Sequence, residues 1–410
     1  LEKENIIKVG WYIKKKGKKK MIINSLLDQD IYKYSMMQCV FHHFPTAWVK
    51  YKFKCRNEGI DLIPFKDQIE AEIDHLCSLN FTEDELNFLG RSKVFDYGFV
   101  HFLRGFKFNR ENITVSIINN KLDISIEGYW VDTILFEVPV LAIVQEIYFK
   151  SLGGKVDYDN AYSRLYDKII KLKNYKCEFG EIPQVIDFGT RRRIGYEFHS
   201  KVISYLSAHD CIIGTSNVRF AMDFGLKPIG THAHEFICAG QAFVHPLDSQ
   251  KYMLDIWCKE YPNGKLAIAL SDTLGFKKFL KDFDYDLASR FKGIRQDSGI
   301  PDDVADLLIK HYEKLGIDPK TKFIVFSDNL TIKEVLRLYK KYHEKINVSF
   351  GVGTNLVADC NVPALQNVIK LVEVNGRPVA KLSDSKGKEM CQNPHYVEYL
   401  RDAINDDIGE

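Results

Sequence analysis

The residues able to do chemistry recur at one kind of place, the end of a short apolar run. Arg295-Gln296-Asp297-Ser298-Gly299 follows Gly293-Ile294, Ser327-Asp328-Asn329 follows Phe323-Ile324-Val325-Phe326, and Gly351-Val352-Gly353-Thr354 closes the run from Val348. A cation with a carboxylate two residues later suits a sugar phosphate: Arg295 pairs with an anion, and Asp297 holds ribose hydroxyls or a magnesium ion. Two glycines let backbone N–H groups close on a phosphate, and Thr354 adds a hydroxyl donor. The loop is not a GxGxxG fingerprint, because position 356 is Leu, and not a Walker loop, because no Lys follows. An Asx turn capping a helix at Pro301 would account for Asp297 or Ser298 alone. Three such loops in succession favour phosphate binding.

Two further clusters carry charge or nucleophiles. Arg191-Arg192-Arg193 follows Phe188-Gly189-Thr190 at what reads as a helix start. Three cations there oppose the helix dipole unless an anion is bound. In Thr231-His232-Ala233-His234-Glu235 two histidines stand at i and i+2, a weak zinc signal without further ligands. A carboxylate from Ser271-Asp272 would instead orient one imidazole and make it nucleophilic.

The elements that must position these groups are legible in outline. Residues 47–56 alternate, with Val49, Tyr51, Phe53 and Cys55 on one face and Lys50, Lys52, Lys54 and Arg56 on the other. Residues 113–126 read as a hairpin about Asn119-Asn120, and Asn375-Gly376 predicts a second hairpin between 369–374 and 378–382. From Val185 onward about seven uninterrupted apolar runs lead into helical patterns, as strands buried on both faces do. Pro301 opens one such helix, and Ile332, Val335, Leu336, Tyr339 and Tyr342 stripe another. Seven strand–loop–helix units predict a (β/α) barrel with chemistry at the carboxyl ends of its strands, an open doubly wound sheet being the alternative. The predicted organisation is a basic extension over 1–20, a strand-rich side domain over 21–150 joined by 368–410, and a barrel over 151–367.

Composition narrows the class. The 410 residues are 45% hydrophobic, enough for one large core and a smaller one. No apolar stretch is long enough for a bilayer span, and no secretory leader is read. Nine scattered cysteines with no CxxC spacing imply neither a zinc cage nor a disulfide framework, so a reducing cytoplasm is expected. The net charge of +2 hides eight lysines against two glutamates in residues 1–20; the remainder sums to −4. Nothing downstream supports a nucleic-acid fold, so the basic run is expected to be dispensable, either solvated and disordered or upstream of a natural start at Met21.

Taken in order from Met21 to the end, these segments resemble the nicotinate phosphoribosyltransferases. The resemblance rests on Leu27-Asp28-Gln29-Asp30-Ile31-Tyr32-Lys33, Phe53-Lys54-Cys55-Arg56, Asp187-Phe188-Gly189-Thr190-Arg191 and Gly214-Thr215-Ser216-Asn217. The loops at 230–235, 295–299 and 351–354 complete it. It implies a type II phosphoribosyltransferase fold, an irregular α/β barrel with a strand-rich side domain made from both chain ends.

The resemblance also implies roles. His234 matches the histidine that such enzymes phosphorylate with ATP, and Asp272 the carboxylate beside it. Phe188 and Tyr32 match the aromatic sandwich around the pyridine, with Tyr32 given by a second subunit of a homodimer. Arg191, Arg295 and Thr231 match groups that bind nicotinate and the reacting ribose. Asp297, Ser327, Gly353 and Thr354 match the phosphoribosyl pyrophosphate site, and Arg56 a cross-subunit pyrophosphate contact. Ser216 stands where related nicotinamide enzymes carry Asp, and a carboxylate there would repel an acid substrate. Magnesium and ATP are the implied cofactor and co-substrate. The competing readings are a nicotinamide phosphoribosyltransferase and a non-catalytic nucleotide sensor on the same barrel.

Overall fold

The computed structural model describes residues 20–262, 264–382 and 391–409; apart from Lys20, the basic run expected to be dispensable lies outside them. Seven parallel strands form one sheet: β4 Gln184–Asp187, β5 Gly214–Thr215, β6 Lys227–Pro228, β7 Ile268–Leu270, β8 Gly293–Gln296, β9 Phe323–Phe326 and β10 Asn347–Val352. Their order, β6-β5-β4-β10-β9-β8-β7, is that of a barrel cut between β6 and β7. In a flat sheet the six spacings, about 4.8 Å each, would hold these edge strands roughly 29 Å apart. Yet His234, beyond β6, lies 2.7 Å from Asp272, beyond β7. The sheet therefore curls until its edges meet at their carboxyl ends. This is the predicted barrel, not the open sheet.

The second sheet is antiparallel and draws on both ends of the chain, as predicted. Its strands are β1 Trp48–Cys55, β2 Ile113–Ile118, β3 Lys121–Tyr129, β11 Asn367–Val374 and β12 Arg377–Pro378, in the order β12-β11-β1-β3-β2. In β1, Val49, Tyr51 and Phe53 are buried while Lys50, Lys52 and Lys54 are not, because period-two alternation puts every second side chain on one face. Both predicted hairpins form, although the return strand of the second spans only Arg377–Pro378 and not 378–382. Asn119 and Asn120 have φ of 50° and 54°, and Asn375 and Gly376 of 49° and 74°. Positive φ at both central residues matches the twist of the flanking strands.

Two helices with no apolar stripe fill the space between the sheets. In Ile31–His43 every residue from Ile31 to Val40 is buried, and in Glu137–Ser151 every residue from Glu137 to Phe149. A helix buried all round shows no one-sided periodicity, which is why the sequence pattern does not announce either. The first helix is tied in by Lys33, fully buried, whose ammonium pairs with Glu137 at 2.6 Å and also with Glu235. No helix among the described residues is long and apolar enough to cross a membrane, and the nine cysteines are all free.

Candidate active site

The seam between β6 and β7 carries a relay of charged groups. His234 opens the helix His234–Phe243 and contacts Asp272 Oδ1 through Nε2 at 2.7 Å. The other oxygen of Asp272 accepts from Lys381 Nζ at 2.8 Å and from Ser298 Oγ at 2.6 Å. Asp297 Oδ2 lies 3.7 Å from the same His234 nitrogen, and Asp297 Oδ1 lies 2.9 Å from Ser327 Oγ. Burial and the nearby Lys381 bring His234 down to about 4, against the pull of Asp272, so the ring is neutral at pH 7. Burial opposes charge on Asp272, but His234 and Lys381 outweigh it and hold the carboxyl well below its usual range. A neutral imidazole whose Nε2–H is held by a carboxylate presents Nδ1 as a lone pair.

His232 has a different position. Its ring is fully buried, 4.9 Å from the Trp257 ring, and neither nitrogen has a hydrogen-bond partner among the described residues. Burial pushes it well below the ordinary imidazole value, so it packs as a neutral core residue. Of the two histidines only His234 has a carboxylate to orient it.

The opposite side of the barrel mouth, at β4, β5 and β10, is built from hydroxyls, carboxylates and an aromatic ring. Asp30 Oδ1 accepts from Thr190 Oγ1 and Ser216 Oγ, each at 2.7 Å. Phe188 lies on the backbone of β10: a Cβ at Gly351 would fall 2.2 Å from its ring, and one at Gly353 would fall 3.0 Å from its carbonyl oxygen. These glycines are required by the close approach of Phe188, which leaves the ring partly exposed as a platform. Arg191 donates to Glu137 Oε1 at 3.1 Å, and Tyr32 leads the groups that favour its charge, followed by Glu137, Asp30 and Asp297. Tyr32, Arg191 and Asp297 therefore share one electrostatic neighbourhood with the seam. Thr231 contributes its carbonyl to Ser35 Oγ at 2.8 Å, and Thr354 begins a four-residue helix after Gly353.

Tyr32 adjoins Arg191 of its own chain, and Arg56 adjoins Arg192. The reason is that segment 27–33 is hydrogen-bonded onto the barrel. Ile31 N–H donates to Ser216 O at 2.8 Å, Val218 N–H donates to Gln29 O at 2.9 Å, and Gly230 leaves room for Ile31 and Tyr32. The three arginines do not open an α-helix: Thr190–Arg192 forms a single 3₁₀ turn, and the α-helix begins at Tyr196. Arg192 donates to the Leu365 and Asn367 carbonyls at 3.0 and 2.6 Å, and Arg193 forms a buried fork on Asp28 at 2.7 Å for both nitrogens, leaving Arg191 to face the site. Ser298 does not cap the Pro301 helix, whose N-cap is Ile300; its hydroxyl goes to Asp272. Ser216 is buried, and its hydroxyl donates to Asp30.

Sequence reading missed Lys381 and Lys370. Lys370, on β11, is brought down to about 8 by burial and by Lys381, with Glu137 and Asp297 pulling the other way, so it too borders the site. Only the turn Asn375-Gly376 signals these lysines, because the hairpin turns the chain back so that Lys381 reaches the seam. Arg295, on β8, has its buried Nε without a hydrogen-bond partner among the described residues. A buried guanidinium N–H without a protein acceptor is a donor available to an anion.

Comparison with known proteins gives the same answer throughout the chain. A model described as the nicotinate phosphoribosyltransferase family matches residues 183–408, and the model of that family's N-terminal domain matches residues 27–145. A nicotinate phosphoribosyltransferase of Burkholderia mallei is 47% identical over 402 residues, covering 95% of this chain and 100% of that protein. One of Ralstonia pickettii is 46% identical over 392 residues, covering 94% and 99%. A solved nicotinate phosphoribosyltransferase structure from Vibrio cholerae superposes with a TM-score of 0.89 at 38% identity, covering 94% of this chain and 96% of that one. With family models over most of the chain and relatives near 47% identity over 95% of it, the chain belongs to the nicotinate phosphoribosyltransferase family.

Proposed function

We propose that this protein joins nicotinate to 5-phosphoribosyl 1-pyrophosphate, forming nicotinate mononucleotide and pyrophosphate on a salvage route to NAD, and couples the reaction to ATP through His234. The pyridine nitrogen attacks the anomeric carbon as the bond to pyrophosphate breaks. The transition state is oxocarbenium-like, so the site must hold both reactants in line and neutralise the leaving group. Phe188 and Tyr32 offer faces for the pyridine ring. Arg191 and Arg295 supply cations for the substrate carboxylate and the phosphates. Asp297, with Ser327 beside it, takes the ribose, and the Gly353-Thr354 loop the 5-phosphate.

Magnesium fits this donor set at Asp297 but not at Asp272, whose oxygens are already taken by His234, Lys381 and Ser298. One carboxylate plus phosphate oxygens is a usual way to hold this ion, which would neutralise charge on the departing pyrophosphate. In the ATP step, His234 Nδ1 attacks the γ-phosphorus, ADP leaves with the bridging oxygen, and water later releases phosphate from the imidazole. Asp272 retains the Nε2 proton and stabilises the ring as its charge develops.

The observation that carries this reading is the His234–Asp272–Lys381 relay, which a nucleotide sensor would not need. Against a nicotinamide enzyme stands Ser216, in place of an acceptor for an amide NH₂. The test is formation of nicotinate mononucleotide with and without ATP, beside incorporation of acid-labile phosphate from labelled ATP. In His234→Ala both phosphate incorporation and ATP stimulation should vanish while slow ATP-independent transfer persists. Phosphate uptake by that variant, or its loss in His232→Ala alone, would refute the role of His234. Preference for nicotinamide over nicotinate would refute the substrate.

A further inference from the structure

Behind Phe188 lies a buried histidine–carboxylate pair that the reaction leaves unused. Asp187 ends β4 one residue before Phe188, and His199 stands in the first turn of the helix Tyr196–Ala208. Both side chains are fully buried. His199 Nε2 lies 2.9 Å from Asp187 Oδ2, and Thr215 Oγ1, at the end of β5, donates to the same oxygen at 2.7 Å. A carboxylate oxygen accepts and does not donate, so Nε2 carries the proton. The other oxygen, Oδ1, accepts from Gly189 N–H at 3.0 Å and closes a turn across Phe188. We propose that, given the use of Phe188 as a face for the pyridine ring, His199 is a positioning residue for the base: through Asp187 it fixes the turn that holds the Phe188 ring against β10.

Three observations carry this role. The turn has no slack. Phe188 N–H donates to Val352 O at 2.9 Å, and a Cβ at Gly351 would fall 2.2 Å from the Phe188 ring. One at Gly189 would fall 2.5 Å from Val357 and 2.9 Å from Asp187 Oδ1, so a carboxylate that swung would move Gly189 and the ring with it. Asp187 is also where the β4–β5 side is gathered. Its carbonyl accepts from Ser216 N–H at 2.8 Å, and Thr215 Oγ1 accepts from Asn217 N–H at 3.1 Å. Finally, packing by itself does not call for a histidine at 199. Its Nδ1 is buried with no hydrogen-bond partner among the described residues, and its ring meets Phe220 edge-on at 4.7 Å. An unpaired buried acceptor costs stability that an apolar side chain would avoid, so what the imidazole supplies is the donor to Asp187.

The test sets His199→Met, of similar length but without a donor, against His199→Gln, whose amide N–H can stand where Nε2–H does. In the full chain, His199→Met should raise the KM for nicotinate roughly tenfold, the size of one hydrogen bond to a charged group. Its kcat and its KM for phosphoribosyl pyrophosphate should stay near the parent's, as loss of binding common to ground and transition states requires. Phosphate incorporation at His234 should be unchanged, and His199→Gln should restore the parent KM. Should circular dichroism show His199→Met unfolded, Thr215→Val, which strips the other donor from the same oxygen, is read in its place and should raise the same KM. Phe188→Leu is the control. If it raises the KM for nicotinate and the donor-less variant does not, the positioning role is overturned. The role is equally overturned if His199→Gln and His199→Met behave alike, or if kcat and His234 phosphorylation fall together with nicotinate binding. If Phe188→Leu itself leaves the KM for nicotinate unchanged, Phe188 is not the face for the base, and the role of His199 falls with it.

Discussion

The two sides of the barrel mouth handle buried charge in opposite ways. On the β4–β5 side the carboxylates are closed. Asp28 has both oxygens on the Arg193 fork with Asn217 added, and Asp187 is held by Gly189 N–H, His199 and Thr215. On the β6–β9 side the relay runs to a nitrogen left available for attack: Lys381 and Ser298 on one oxygen of Asp272, His234 on the other. Low dielectric strengthens both sets. A fully paired carboxylate is a fixture, whereas one that holds a neutral imidazole prepares a nucleophile. The barrel thus joins a wall of fully paired carboxylates to a seam where the sheet does not close its own hydrogen bonds.

The comparison breaks most visibly where both sides meet the central helix. Lys33→Ala should strand Glu137 and Glu235, whose pairing with Lys33 helps bring Glu137 down to about 2 against the cost of burial. A loss of about 3–5 kcal/mol is expected in urea unfolding. A loss below about 1 kcal/mol would mean that the buried triad is not structural.

The seam should respond in rate and not in stability. Asp272→Asn is expected to slow phosphorylation of His234 about 100-fold, the lower end of what a positioned proton acceptor contributes, with little change in melting temperature. In the parent, His234 is neutral down to about 4, so phosphorylation should stay flat as pH falls through the ordinary imidazole value of 6.5 and fail only near the lowered one. A rate that halves near 6.5 would show that His234 titrates normally.

The smallest expected effect lies on the closed side. Ser216→Asp brings a second carboxylate against Asp30, which burial already raises despite the hydroxyls of Thr190 and Ser216. Relative preference should move from nicotinate toward nicotinamide by about 1–3 kcal/mol. Because Ser216 is buried, the melting temperature should fall as well, which a surface specificity residue would not cause. An unchanged ratio of the two activities would take position 216 out of base selection.

Much of this was legible before any coordinates, for local reasons. Alternation in residues 47–56, the Asn-Asn and Asn-Gly turns, and apolar runs ending in Asp, Ser or Gly are decided by neighbours in the chain, so the strands, hairpins and strand-end loops could be read directly. Other features depend on chain segments that meet only after folding. His234 finds Asp272 38 residues away, Asp272 finds Lys381 109 away, and Lys33 finds Glu235 202 away. No periodicity encodes those pairs, because charge pairing in a core is set by which elements pack together. The same packing decided that Tyr32 meets Arg191, that Gly351 makes room for a ring, and that His232 is core while His234, two residues on, has the carboxylate.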